Sequence, residues 1–118
     1  MYKGEKIMKI TNFRIEEEYK TAHGVDVKQV YNSEFAQVNH ILLQAGQALK
    51  PHITPVDALF YILEGCPTIM IGDERVQVKE DDVIESPKGI VHCIYNETDS
   101  VVRVLVSKLP RPTSPSKF

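Results

Sequence analysis

The chain of 118 residues is long enough to bury the core of one domain but not of two. Hydrophobic residues make up 42% of it and charged residues 25%, and its net charge of −2 comes from interspersed acids and bases, which excludes a basic nucleic-acid-binding face and a polybasic membrane patch. Because the apolar runs are too short to span a membrane and the N-terminus lacks the apolar block of a secretion signal, we expect a cytoplasmic protein.

The start of the chain has the least distinctive pattern. Residues 1–9 alternate loosely, which favours an edge strand, whereas residues 11–20 fit a short helix and a strand equally well. The acidic run Glu16–Glu18 is expected to face solvent. Residues 25–31 then alternate as a strand, and residues 35–43 form a longer strand-like run.

Short strand-like runs separated by turn residues at regular spacing make up the rest of the chain, which is the pattern of an all-β sandwich or barrel. Gly72 and Asp73 form a two-residue hairpin signal, and a second acidic run, Glu80–Asp82, is expected to be a solvated turn. No helix of ten or more residues is predicted here. The predicted strands cover residues 58–63, 68–71, 75–78, 83–85, 91–95 and 101–105.

The C-terminal residues 109–118 contain three prolines, which lack the backbone donor that a central strand needs. We therefore expect either a frayed tail or an extended arm lying on the surface, of this chain or of a partner subunit. The two cysteines, Cys66 and Cys93, are too few and too far apart for a disulfide framework or a CxxC motif, and are expected to be reduced thiols.

Side-chain alternation divides the predicted strands into an inner and an outer face. If His92 faces the interior, so does Ile94, and the even-numbered valines of residues 101–106 form a second inward row. The outer face of residues 91–95 then carries Val91, Cys93 and Tyr95, which is more apolar than a solvated strand. This predicts either a covering strand or a dimer interface.

Two histidines each follow a rigid turn, at the first inward position of a strand. His52 lies between Gly46 and Gly65, and His92 follows a turn in which Pro87 fixes one backbone angle and Gly89 permits an unusual one. Each turn therefore delivers its histidine to the mouth of the predicted barrel at a fixed position.

The first histidine segment resembles the first motif of the cupin family, which is Gly, five residues, His-x-His, three or four residues, Glu, six residues, Gly. Gly46, His52 and Gly65 stand at that spacing. Thr54 replaces the second histidine, and Ala58 stands at the position of the glutamate. The structural residues of the motif are therefore kept, while two of its polar residues are replaced.

The second segment resembles the second cupin motif, which is Gly, five residues, Pro-x-Gly, two residues, His, three residues, Asn. Pro87, Gly89, His92 and Asn96 match it, and Asp81 replaces the first glycine. The resemblance covers about residues 35–107. It implies a single-domain, all-β fold, an antiparallel jelly-roll barrel of the cupin type.

In metal-binding cupins the ligands are the two histidines and the glutamate of the first motif and the histidine of the second. The resemblance therefore implies His52 and His92 as ligands of a divalent metal (Zn, Mn, Fe or Ni), with a third ligand still to be found. Asp57 needs a bulge to turn inward. His40 is a better donor, but the alternation of its strand places Asn39 inside instead.

A metal-free site is the alternative, in which the two histidines act as a general base and a clamp for a small anionic or polar ligand. An opposed acid would come from Tyr61 or Tyr95, which alternation places outside. A third reading makes the histidines cavity-lining relics without a ligand. The residues expected to line the cavity are Asn39, Leu49, Thr54, Phe60, Ile62, Ile94, Val104 and Val106.

The sequence thus predicts N-terminal strands or an extension of the barrel over residues 1–34, the barrel core over residues 35–108 and a tail over residues 109–118. We expect a homodimer that binds a small molecule in the barrel cavity and neither nucleic acid nor membrane. A metal-dependent oxygenase or isomerase with an unidentified third ligand and a metal-free regulatory module stay open as alternatives, because this barrel hosts many activities. His23 is expected on a surface loop, and His40 on the outer face or at an interface.

Overall fold

A computed structural model describes residues 7–15 and 24–118. The strand expected over residues 1–9 falls largely outside the described residues, as do the run Glu16–Glu18 and His23. Within residues 11–20, the described part forms one 3₁₀ turn, Phe13–Ile15. Over the described ranges, no helix is long and apolar enough to cross a membrane.

The described chain folds into two antiparallel sheets, which confirms the all-β jelly-roll prediction. The five-stranded sheet has the order β1-β2-β9-β4-β7 and the four-stranded sheet the order β3-β8-β5-β6. The strands are β1 (Asp26–Asn32), β2 (Gln37–Leu43), β3 (His52–Ile53), β4 (Asp57–Glu64), β5 (Thr68–Ile71), β6 (Glu74–Gln77), β7 (Val83–Ser86), β8 (Val91–Tyr95) and β9 (Val102–Leu109).

The last strand is longer than its apolar pattern predicted. Strand β9 continues past residue 105 to Leu109 and pairs with both β2 and β4, so it lies at the centre of the five-stranded sheet. Its two neighbours satisfy the backbone donors and acceptors of these extra residues, whatever their side chains. The extension brings Lys108 into the inward row that begins at Val102.

The core lies between the two sheets, and side-chain alternation predicts which residues enter it. Val102, Val104 and Val106 are buried while their neighbours on β9 are half-buried. Gly65 permits the close approach of the chain to this row, because a Cβ there would lie 2.6 Å from the carbonyl oxygen of Val101. The buried hydrophobic cluster consists of Val27, Ile41, Leu43, Leu49, Ala58, Phe60, Ile62, Ile69, Ile94, Val102, Val104 and Val106.

The outer face of β8 is covered by the chain itself. Ala48 bridges to Tyr95, and Cys93 is fully buried and donates its thiol hydrogen to the carbonyl oxygen of Leu49 at 2.6 Å. The guanidinium of Arg75 lies over the Tyr95 ring. Cys93 and Tyr95 on this face therefore have contacts within the chain, while a dimer interface on it stays a prediction.

The proline-rich tail also folds back on its own chain. Lys117 exchanges two backbone hydrogen bonds with Ile53, of 2.6 and 2.9 Å, at the outer edge of the four-stranded sheet. An edge position is where a tail that lacks several donors can still pair. Since the apolar strand and the tail both have partners within one chain, the homodimer stays a prediction that depends on the family resemblance.

Candidate functional site

His52 and His92 form the centre of the candidate site. They are directly opposed partners on β3 and β8, both are buried, and their Nε2 atoms lie 3.1 Å apart. Because β3 is only two residues long, the turns on either side of it determine the position of His52. The antiparallel pairing of the two strands therefore brings together histidines that are 40 residues apart in the sequence.

Hydrogen bonds at the other ring nitrogens fix how the two imidazoles are oriented. Nδ1 of His52 lies 2.7 Å from the carbonyl oxygen of Lys50, which can only accept, so this Nδ1 carries a proton and Nε2 a lone pair. Nδ1 of His92 lies 2.6 Å from the hydroxyl of the buried Ser86, which can donate or accept. His52 thus has one neutral tautomer, whereas His92 can adopt either.

The space between the two Nε2 atoms can hold a single proton. Nε2 of His92 lies 3.0 Å from Oγ1 of Thr54 as well as 3.1 Å from Nε2 of His52. When His92 is protonated at Nε2, it donates toward His52 and its Nδ1 accepts from Ser86. In this neutral state the pair holds the proton between the two rings; transfer to His52 requires His92 to carry a second proton on Nδ1, so that it is neutral after giving up the one on Nε2.

The cavity beside the histidines has a volume of about 200 Å³ and walls that are mostly apolar. Of the residues expected to line it, Asn39, Leu49, Phe60 and Val106 do so together with His52 and His92. The remaining ones lie elsewhere. Ile62, Ile94 and Val104 are in the closed core, deeper along their strands, and Thr54 is buried behind His92. The other residues on the wall are Val27, Ile41, Lys108, Ser116 and Phe118.

Lys108 is the functional candidate that the sequence prediction missed. It continues the inward row of Val102, Val104 and Val106 and reaches the cavity wall, but the predicted strand ended at residue 105. Extending the even-numbered alternation by one more step would have identified it. Within residues 7–15 and 24–118, Lys108 forms no ion pair.

Burial determines the protonation behaviour of the cavity. It lowers the pKa of the Lys108 ammonium, because a charged group loses solvation there. Burial also lowers the pKa of His52, and the nearby charge of Lys108 lowers it further, against the opposing effect of the hydrogen bond to Lys50. His52 is therefore mainly neutral at pH 7, with a lone pair on Nε2 that faces Nε2 of His92.

Asn39 also presents an unmatched polar atom. Its side-chain oxygen Oδ1 is buried and accepts no hydrogen bond from the described residues, although the residue lies on the cavity wall. An unpartnered buried acceptor is costly, and a donor on a bound molecule would remove that cost after a small rotation of the amide.

Asp57 and His40, the two residues considered as a third metal ligand, lie away from the histidine pair. Asp57 is exposed, and its carboxylate accepts a hydrogen bond from the backbone of Lys88 at 2.9 Å. Thr54 is close, but a neutral hydroxyl is a weak ligand. In the described part of the chain, no group of three or more His, Cys, Asp and Glu side chains is placed to hold a metal ion. The donor set therefore does not fit the three-ligand or four-ligand centre of metal-binding cupins.

His40 lies on the opposite face of its strand from the cavity, as its alternation predicted. It is nonetheless buried, because the ring of Phe13 stacks on it with 3.6 Å between ring centroids. Arg103 donates from Nε to its Nε2 at 3.0 Å. Desolvation, followed by the charges of Arg103, Lys28 and Arg14, lowers the pKa of His40 to about 4.

The tyrosines considered as an opposed acid lie on outer faces. Tyr61 donates its hydroxyl hydrogen to the Asp81 carboxylate at 2.8 Å, which raises its pKa. Tyr95 lies under Arg75 on the outer side of β8. Neither hydroxyl reaches the cavity, so among the described residues the histidines and Lys108 are the acid and base candidates of the site.

Comparison with known proteins identifies relatives over most of this chain. A family model described as Cupin domain matches residues 39–108. An uncharacterised protein from Methanocaldococcus jannaschii is 26% identical over 87 residues, which are 73% of this chain and 75% of that protein.

Solved structures show the same architecture. A protein from Thermus thermophilus superposes with a TM-score of 0.77 at 28% identity, over 89% of this chain and 100% of that one. An RmlC-like cupin family protein with a double-stranded β-helix fold from M. jannaschii gives 0.74 at 25% identity, over 91% and 94%. The polyketide cyclase RemF from Streptomyces resistomycificus gives 0.80 at 16% identity, over 94% and 84%, which is a likeness of fold alone.

Proposed function

The chain belongs to the cupin family, and we propose that it is a binding protein for a small anionic molecule, held in the barrel cavity beside His52 and His92. The observation that carries the proposal is Lys108, a cation on the wall of a mostly apolar cavity that forms no ion pair with any described residue. A half-buried charge without a partner is costly, and an anion in the cavity would offset that cost.

The position of Lys108 supports an anion over a metal ion. Lys108 is the directly opposed partner of Ala58 on β4, and Ala58 stands where metal-binding cupins have their glutamate. Directly opposed side chains on one face of antiparallel strands lie about 5 Å apart. At this place the chain therefore carries an ammonium and no carboxylate, and the ammonium repels a divalent cation and attracts an anion.

The histidines complete a polar binding surface in this proposal. A bound anion would take the Nε2 hydrogen of His92 that otherwise points to His52, which frees the Nε2 lone pair of His52, while the Asn39 amide offers a donor and an acceptor and Lys108 donates up to three hydrogen bonds. Charge-assisted hydrogen bonds of this kind are shorter and stronger than neutral ones. His52, fixed by the Lys50 carbonyl, would accept a hydrogen bond from a hydroxyl of the bound molecule.

A divalent metal held by His52 and His92 is the second candidate function. Two observations favour it. The Nε2 atoms converge at 3.1 Å, a separation that allows both to bind one ion, and both Nδ1 atoms have hydrogen-bond partners of the kind that orient metal-ligating histidines. Two imidazoles alone hold such an ion weakly. A metal-dependent oxygenase or isomerase would require a third ligand that the described residues do not supply.

Calorimetric titration tests the anion proposal with acetate, benzoate and inorganic phosphate as probes. We expect at least one of them to bind, and Lys108→Gln to weaken it by roughly 10- to 100-fold, the loss expected for one charge-assisted contact. Lys88→Gln is the matched control, because Lys88 lies on the turn outside the cavity. Equal affinity for benzoate and the neutral benzamide would overturn the proposal.

Metal analysis separates the second candidate. Protein prepared without a histidine tag is soaked in Mn, Fe, Ni or Zn and washed. Near-stoichiometric metal that disappears in the double variant His52→Ala, His92→Ala would support the metal site, and no bound metal after soaking would exclude it.

A further inference from the structure

The C-terminal tail forms one wall of the cavity. Lys117 pairs with Ile53, the residue after His52, through two backbone hydrogen bonds. This pairing brings both neighbours of Lys117 to the site. Ser116 and Phe118 lie on the cavity wall, and the hydroxyl of Ser116 is 3.5 Å from that of Thr54.

Aromatic rings surround the cavity on this side. The Phe118 ring stacks over His52 with 5.5 Å between centroids and 29° between planes. The His92 ring meets His52 edge-on at 4.5 Å, and Phe60 meets His92 edge-on at 5.3 Å. Four rings therefore line a cavity whose cation is Lys108. Such a combination suits a ligand that is itself a flat ring bearing a negative charge.

We propose that residues 116–118 are part of the binding site and that Phe118 makes it selective for planar aromatic carboxylates, which insert between the rings of Phe118 and His52 with the carboxylate on Lys108. This inference depends on the proposed anion binding and adds the class of ligand and a specificity-determining residue.

The ring spacing shows what insertion requires. A ring stacked on both faces needs about 7 Å between its neighbours, roughly twice the contact distance of carbon atoms. The ring centroids of His52 and Phe118 are 5.5 Å apart, so Phe118 has to move outward by at least about 1.5 Å. Its side chain is 68% exposed, and two backbone hydrogen bonds pair the tail with the sheet at this point, so such a movement disturbs little of the core.

The test compares benzoate with cyclohexanecarboxylate by calorimetric titration, because the two anions differ in the aromatic ring and not in charge. We expect benzoate to bind about 2- to 10-fold more tightly, the range that ring stacking adds. Phe118→Leu, which keeps the apolar bulk, should reduce this preference to near one, whereas Phe118→Tyr should keep it. Phe118 is exposed, so none of these variants disturbs the core.

A second pair of variants tests the tail by a different route. Lys117→Pro removes the backbone donor that pairs with Ile53, and Lys117→Ala keeps it. We expect the proline variant to lose the preference for benzoate and the alanine variant to retain it. A preference that is absent from the native protein, or that persists in both Phe118→Leu and Lys117→Pro, overturns the inference and leaves anion binding intact. If neither carboxylate binds, the inference fails, and if acetate and phosphate also fail to bind, the proposed anion binding fails with it.

Discussion

Ala58 and Lys108 are directly opposed partners on strands β4 and β9, and both side chains face the interior of the barrel. Ala58 is also paired with Ser86, whose hydroxyl lies 2.6 Å from Nδ1 of His92. A carboxylate at the position of Ala58 would therefore lie next to both the ammonium and the histidine pair. Under the proposed function, the presence or absence of that carboxylate decides whether the site attracts cations or anions.

We predict that the charge preference of the site can be reversed at these two positions. Ala58→Glu should pair with Lys108 and reduce benzoate affinity by about 10-fold or more, since one added carboxylate neutralises the cation. The double variant Ala58→Glu, Lys108→Met should bind Zn²⁺ or Mn²⁺ through the new carboxylate and the two histidines. Calorimetric titration with each ion and with benzoate measures both effects.

Glutamine, the neutral isostere of glutamate, provides the matched control for this reversal of charge preference. Ala58→Gln fills the same buried volume without the charge, so any cost of overpacking is common to both variants. Equal metal affinity in Ala58→Gln, Lys108→Met and in the glutamate double variant would show that the carboxylate is not a ligand, contrary to the prediction.

Gly65 and Gly46 differ in what surrounds them, and this difference predicts unequal costs of substitution. Both have a positive φ, of 84° and 80°. A Cβ on Gly65 would lie 2.6 Å from the Val101 carbonyl oxygen and 2.8 Å from Val102 Cγ2, whereas a Cβ on Gly46 meets nothing within 4 Å. Gly65→Ala should lower the free energy of unfolding by roughly 2–4 kcal/mol and Gly46→Ala by about 1–2 kcal/mol. Urea denaturation measures the free energy of unfolding of both variants. Equal losses would show that the close contact at Gly65 adds nothing to the cost of substitution.

Lowering the pH should destabilise the folded protein, because His40 takes up a proton more readily in the unfolded chain. Burial and the surrounding cations lower its folded-state pKa from 6.5 to about 4, so between these values the unfolded chain binds the proton more readily. The contribution of His40 to the free energy of unfolding is therefore complete above pH 6.5 and is lost as the pH falls to about 4. The loss is roughly 3 kcal/mol at most. Urea denaturation from pH 7 to pH 4 should show a steeper fall in the native protein than in His40→Gln. Parallel curves would mean that His40 does not cause the loss.

The two cysteines should react at very different rates in the folded protein. Cys66 is exposed, whereas Cys93 is buried, and desolvation raises the pKa of its thiol. Since the thiolate is the reactive form, a thiol-specific disulfide reagent should modify Cys93 on the order of 100-fold more slowly than Cys66. Cys66→Ser should abolish the fast phase, and denaturant should make both thiols reactive. A fast phase that survives in Cys66→Ser would show that the Ala48–Leu49 segment does not protect Cys93.

Much of the fold was predictable from the sequence, because its main signals are local. Alternation along a strand requires neighbouring residues alone, and it identified the inward rows of β8 and β9 and the outward position of His40. Turn residues such as Gly46, Gly65 and Pro87 constrain their own backbone angles. These features predict an all-β sandwich or barrel, and the resemblance of the two histidine segments to the cupin motifs made that prediction a cupin barrel.

The tertiary structure alone decided how distant residues meet. The sequence predicted neither that Lys108 stands opposite Ala58 nor that Phe118 covers His52, since both depend on pairing between segments far apart in the chain. Strand β9 extends to Lys108 because neighbours on both sides satisfy its backbone, and the tail stays at the cavity because the edge of β3 offers Ile53 as a partner. Local sequence signals were thus enough to identify the two histidines, whereas Lys108 and Phe118 reach them through pairing between segments that are far apart in the chain.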